Sequence, residues 1–317
     1  MATLTKYGNF IGSVPNTGGR VFWVAPSDSY VVEGKYYPAS DYNDGLSPRK
    51  ALRRVNRAWS LVSANAGDVI VLLPGTHSAA DINGTAASIA ASTAGVTMTG
   101  LNCGPGSGNF MRKRTALTCV AADETVNVTA ADIEIANITF LGDALNVGSY
   151  HVNTTVAGHR LHVHDCTFDV TAQTANTGIG AVAATGAATN VTIQRCVFHV
   201  DGAFGPMLDM SATLDSVVQD CLFSLSTGTI ANFILTGAAA RLFIRRNTFN
   251  AGAGTATAPI DGTGATVANG ILIAQNIFGV NSTVSIDNFD AAEAVLSMNY
   301  IATVGGGAGG TLLTAIT

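Results

Sequence analysis

IEIANITF (Ile133 to Phe140), LHVHDCTF (Leu161 to Phe168), VTIQRCVF (Val191 to Phe198), SVVQDCLF (Ser216 to Phe223), LFIRRNTF (Leu242 to Phe249) and ILIAQNIF (Ile271 to Phe278) are copies of one eight-residue pattern. AVLSMNYI, Ala294 to Ile301, is a weaker copy, and VTMTGLNC, Val96 to Cys103, an earlier degenerate one. The closing Phe returns after 28, 30, 25, 26 and 29 residues. Within a copy the first and third positions are mostly aliphatic while the second and fourth vary, which is the alternation of a half-buried strand. A two-residue bend then separates this strand from a second short one that ends on Phe. Gly, Ala, Thr, Asn and Asp runs between copies, such as Thr171 to Thr189, suit turns and loops. One such unit per 25–30 residues cannot bury its own apolar face, so the copies must stack. The pattern predicts an all-β chain, a parallel β-helix. At about 4.8 Å per coil it would form a rod on the order of 40–50 Å long.

Stacking turns positions into columns. The eighth position predicts an internal pile of Phe140, Phe168, Phe198, Phe223, Phe249 and Phe278. The sixth runs Ile138, Cys166, Cys196, Cys221, Asn247, Asn276, Asn299. A buried Asn must satisfy its amide, and a stack of them does so by bonding to copies above and below. The fifth reads Asn137, Asp165, Arg195, Asp220, Arg246, Gln275. Facing outward, it would alternate charge between coils, and a slipped register would juxtapose like charges.

The residues before the octets read as a cap. Ser47-Pro48 places an N-cap serine before a proline at the first helical position. Ala51, Leu52, Val55, Ala58, Trp59 and Val62 follow at helical spacing, predicting an amphipathic helix over about 48–65. VIVLLPG, Val69 to Gly75, is the first buried strand. The expected organisation is an N-terminal arm at 1–21, a cap region at 22–68, coils over 69–304 and a Gly-rich apolar tail at 305–317. A capping helix would cover apolar ends and an unpaired strand edge.

Asn43-Asp44-Gly45-Leu46-Ser47-Pro48, the helix pattern and Gly67-Asp68-Val69-Ile70-Val71-Leu72-Leu73-Pro74-Gly75-Thr76 together resemble the opening of pectate-lyase-like right-handed β-helix proteins. The resemblance runs from about Phe22 to Ile301. It is greatest to the β-helix proteins carried on bacteriophage particles, tailspikes and surface decorations. It implies a right-handed solenoid but no single function, since the superfamily holds lyases, hydrolases and structural members.

Composition narrows the classes. Charged residues are 12% of 317, against about 25% in a typical soluble protein, and glycine contributes 35. A mean hydropathy of +0.32 excludes a disordered chain. No apolar run is long enough to suggest a membrane span, and a net charge of −5 argues against a nucleic-acid binder. The opening Met1 to Gly8 lacks the pattern of a signal peptide, predicting synthesis in the host cytoplasm. Cys103, Cys119, Cys166, Cys196 and Cys221 are odd in number and contain no CxxC pair, so they read as reduced, buried thiols.

Candidates for chemistry are few. Asp165 falls beside Arg195, Asp169 lies one coil from His199, and Glu134 shares a column with His162. A Glu134–His162 or Asp169–His199 pair could do acid–base work, or be a surface ion pair or hydrogen bond between neighbouring coils. His151, His159, His162 and His164 cluster in sequence, and His162-x-His164 on one strand face is a metal-ligand geometry. With no carboxylate assigned to that face, ordinary exposed histidines are the preferred reading. Asp201 and Asp209 lie in a Gly/Pro turn that reads as a coil-joining loop. GPGSG (104–108) and GGGAGG (305–310) lack the Lys-Ser/Thr of a phosphate loop. Arg112-Lys113-Arg114 is the densest basic run, a solvated loop or a contact with an acidic partner. No catalytic, cofactor-binding or metal residue is therefore assigned, and no cofactor is expected. The expectation is a non-catalytic structural component of a phage virion, decorating the capsid or attaching at the tail. It would be a homotrimer docked on other virion proteins through its arm, with a host glycan as a further ligand. The alternative is a polysaccharide depolymerase working in a groove of the β-helix.

Overall fold

A computed structural model describes residues 18–26, 29–32, 35–82, 88–101, 114–118, 124–142, 150–154, 159–170, 180–184, 186–200, 205–226, 229–230, 232–250, 255–256, 259–262, 270–280, 294–303 and 311–313. Most of the arm at 1–21, most of the 305–317 tail, both glycine-rich motifs, Asp201, Arg112, Lys113, Cys103 and Cys119 lie outside them.

Three parallel sheets of ten, ten and seven strands account for nearly all the regular structure. The first sheet takes one strand per coil, from Val21–Val24 through Glu134–Ala136, His162–His164, Thr192–Gln194, Val217–Gln219, Phe243–Arg245 and Ile271–Ala274 to Ala294–Ser297. The second takes the back half of each octet, including Thr139–Leu141, Thr167–Asp169 and Val197–Val200. The third is built from segments between octets, Ile89–Ala91 through Val152–Thr154 to Ile260–Asp261. The chain visits the sheets in turn and climbs one coil per circuit. This is a right-handed parallel β-helix, the hand that crossovers between parallel strands of L-residues adopt. Among the described residues no helix is long and apolar enough to cross a membrane.

The register is the one the octets predict. Phe140, Phe168, Phe198, Phe223, Phe249 and Phe278 pair strand to strand. Their rings stack at 4.8, 5.1, 4.6, 4.8 and 4.9 Å between centroids, with planes within 9° of parallel. All six are fully buried. The Asn column forms the expected ladder: Asn276 Oδ1 accepts from the backbone N–H of Asn247 (2.9 Å) and from Asn247 Nδ2 (3.1 Å). Asn276 Nδ2 in turn donates to Ile244 O and to Asn299 Oδ1, both at 3.0 Å. The three cysteines of this column are free and buried, and burial pushes the thiols of Cys166 and Cys221 up. Asn276→Ala would orphan several of these groups and is expected to cost about 1–3 kcal/mol in chemical denaturation.

The bends are tighter than the octets suggest. A single residue in left-handed conformation makes each one, at the fifth position: Asn137, Asp165, Arg195, Asp220, Arg246 and Gln275 have φ of 50–57°. The sixth residue already points inward. A second left-handed bend, absent from the sequence reading, sits just before each octet at Asp132, Arg160, Asn190, Asp215, Arg241 and Gly270. Both bends carry ion pairs between adjacent coils. Arg195 grips Asp165 through two hydrogen bonds of 2.8 and 2.7 Å, and Arg246 grips Asp220 at 2.7 and 2.9 Å. Arg160 with Asp132 and Arg241 with Asp215 repeat the motif at the other corner.

The cap departs from expectation. In place of one helix over 48–65 there is a 3-10 turn, Pro48–Lys50, and a five-residue α-helix, Val55–Trp59. Ser47 makes no side-chain cap. Between the two pieces Leu52 is extended, donating its N–H to Trp23 O (2.8 Å) and accepting from Ala25 N–H (3.0 Å). Pairing with the first strand supplies backbone partners and buries Leu52, and that outweighs helical continuation. Most residues of the expected apolar face are nonetheless inward: Leu52, Val55, Ala58 and Trp59 are buried in the core, and Ala51 is buried on the outer side. Trp23, Tyr30 and Ala51 also pack over Val69 and Val71, covering the outer face of the first sheet at this end. At the other end Thr311–Leu313, from the apolar tail, pairs antiparallel with Asn299 to Ile301.

Candidate functional site

The outer face of the first sheet carries the second and fourth octet positions. Strand pairing sets Thr97, Glu134, His162 and Thr192 in one line and Ala136, His164, Gln194, Gln219 and Arg245 in the next. Glu134 and His164 meet across this face: His164 Nε2 lies 2.7 Å from Glu134 Oε1. Thr97 Oγ1 donates to the other oxygen, Glu134 Oε2, at 2.8 Å. On its far side His164 Nδ1 lies 2.6 Å from Asp165 Oδ2, the carboxylate that Arg195 holds. The rings of His162 and His164 lie side by side, centroids 4.3 Å apart and planes inclined by 33°.

A chain of amides reaches His162 from three coils away. Arg245 Nε donates to Gln219 Oε1 (2.9 Å), Gln219 Nε2 to Gln194 Oε1 (2.9 Å), and Gln194 Nε2 lies 2.7 Å from His162 Nε2. A guanidinium can only donate, so it sets the direction of every bond in the chain. His162 Nε2 must then accept, and the ring is neutral. Burial and the neighbouring His164 lower the pKa of His162 in the same sense. Burial also acts against a charge on His164, but the hydrogen bonds to Glu134 and Asp165 outweigh it and raise its pKa. The His164 hydrogen bond holds Glu134 below the usual carboxylate range, and the Arg195 pair does the same for Asp165.

The structure thus joins Glu134, His162, His164, Asp165 and Arg195 into one site, and separates the other candidates. The carboxylate of Glu134, the column neighbour of His162, lies on the His162-x-His164 face and reaches across to His164, so the expectation of a face without a carboxylate fails. Asp169 pairs with His199 in register on the outer face of the second sheet, with Arg114 at 4.0 Å from Asp169. Asp209 ends the strand Leu208–Asp209 of the third sheet and accepts from the N–H of Ser211 at 3.0 Å, so a strand stands where a coil-joining loop is expected. His159 contacts Thr189 Oγ1 at 2.8 Å, and His151 is buried against Phe140 and Phe168. Thr97, Gln194, Gln219 and Arg245 were not among the candidates. Their signal is polarity at the second and fourth positions of successive octets, beginning with the degenerate one.

No protein family matches the chain, and no curated protein is similar to it. Among solved structures it is similar to a pectin methylesterase, a mutant in complex with a hexasaccharide, at 9% identity. That match covers 81% of this chain and 87% of the other with a TM-score of 0.48, and assigns no role to any residue here.

Proposed function

We propose that this chain is a non-catalytic structural component of a bacteriophage particle, a capsid decoration or tail attachment protein that assembles as a homotrimer. The particle setting rests on the sequence resemblance, and residues 1–21 would dock on other virion proteins. The observation carrying the assembly is on the last coils. Val217, Phe243, Leu272 and Val295 line up on the outer face of the first sheet, and Leu222, Thr248, Ile277 and Tyr300 on that of the second. Phe243, Ile277, Val295 and Tyr300 are 39, 45, 64 and 46% exposed. Apolar stripes of this kind favour burial against a partner, and a closed symmetric ring buries the same face of every copy.

Copies of the protein per purified particle, counted by quantitative mass spectrometry, test the reading. On the order of a hundred or more would mean shell decoration, and roughly three to eighteen a tail spike or fibre. Absence from particles would reject both. In solution, a Phe243→Lys/Ile277→Lys variant is expected to sediment as a monomer where the parent sediments as a trimer. Parent and variant of equal, monomeric mass would reject the interface.

The competing activity is a depolymerase, lyase or glycoside hydrolase, and hydrolysis needs one carboxyl kept protonated near neutral pH. The arginine and histidine partners of Asp165 and Glu134 favour the opposite state, which supports the non-catalytic reading. Release of sugar ends from a host polysaccharide, lost in Asp165→Ala or Asp169→Ala, would replace that reading with the depolymerase.

A further inference from the structure

The ligand set on the first sheet points beyond assembly. We propose that Glu134, His162 and His164 bind one divalent ion of the zinc class on the outer face of the β-helix. Each residue offers a ligand atom, and these atoms lie within 4.8 Å of one another. Two imidazoles and a carboxylate suit zinc and its neighbours, whereas calcium and magnesium take oxygen donors. Three protein ligands leave a fourth, water-filled position, as in sites that are not purely structural. The ligands are partly open, with side-chain exposures of 29% for Glu134 and 14% for His164.

What distinguishes this cluster from a chance surface grouping is the shell behind it. Asp165, itself held by Arg195, accepts from His164 Nδ1, so that Nε2 faces the ion. A carboxylate behind a ligating histidine fixes its tautomer and raises its basicity. Thr97 occupies the oxygen of Glu134 that does not face His164, leaving Oε1 for the ion. The Arg245–Gln219–Gln194 chain ends on the lone pair of His162 Nε2, and the ion takes that lone pair in place of the Gln194 N–H.

The test uses the full chain, stripped with a chelator and titrated with zinc against a chromophoric competitor. One ion per chain is expected. His164→Ala and Glu134→Gln should each weaken binding at least 100-fold, and Asp165→Asn roughly 10–100-fold. His199→Ala, a histidine on another face, should bind as the parent does. Cobalt in place of zinc should give the visible bands of a tetrahedral nitrogen/oxygen site, lost in His162→Ala. Circular dichroism of each variant shows that the coils are intact, since all these residues face outward. No binding up to about 1 mM zinc, or equal affinity in parent and His164→Ala, overturns the proposal.

Discussion

Phe198→Ala is expected to destabilise the protein by about 3–5 kcal/mol, the range found for emptying an aromatic site in a packed core. Phe198 lies mid-stack, 5.1 Å from Phe168 and 4.6 Å from Phe223, and is fully buried. Its removal opens a cavity between two coils that cannot approach, because their backbones are already joined by parallel ladders on either side. In a solenoid stability is close to a sum over neighbouring repeats, so both interfaces of the coil lose contact at once. Phe198→Leu keeps part of the volume and should cost less. Urea denaturation of the three proteins checks this, and a loss under about 1 kcal/mol for Phe198→Ala would show that the stack is not a source of stability.

Acid should unfold the protein through two histidines that no outward column contains. His77 and His151 are fully buried, and desolvation lowers each pKa from 6.5 to about 4. His77 Nε2 contacts Leu73 O and His151 Nδ1 contacts Thr125 Oγ1, while His77 Nδ1 and His151 Nε2 have no hydrogen-bond partner. Between about pH 6.5 and 4 the unfolded chain takes up protons that the folded chain refuses. Stability is therefore full above that window and falls as the pH drops through it. The slope is about 1.4 kcal/mol per pH unit for each histidine, on the order of 3 kcal/mol apiece over the whole window. Ion-paired carboxylates such as Asp165 and Asp220 extend the loss to lower pH, since their folded pKa values lie below the unfolded ones. His164 works in the other direction: its raised pKa makes its contribution one that disappears as pH rises. His151→Leu is expected to halve the slope between pH 6.5 and 4. A stability flat from pH 7 to 4.5 in the parent would refute the assignment.

The two sets of residues behind these predictions differ in how they can be read. The phenylalanine column and the Asn247–Asn276–Asn299 ladder repeat at a fixed place in every octet, so alignment of the copies is enough to stack them. The Glu134–His164 contact is harder to see. It joins the second position of one octet to the fourth of the next, a diagonal that depends on the lean of side chains along a twisted sheet. The cap helix was misread for a related reason. Ala51 to Val62 has helical spacing, but Leu52 gains more from pairing with the first strand than from continuing a turn.

From the residues alone follow the parallel coils, their register, the inward columns and the alternating charges at the fifth position, because all of these are properties of a local repeat seen many times. Only the folded chain decides the second bend before each octet, the split of the cap helix and the burial of His77 and His151. It also decides the meeting of Glu134, His162 and His164 before the Asp165–Arg195 pair. Those features arise between coils and from connecting segments that share no pattern, where the outcome depends on which partner a group finds in space.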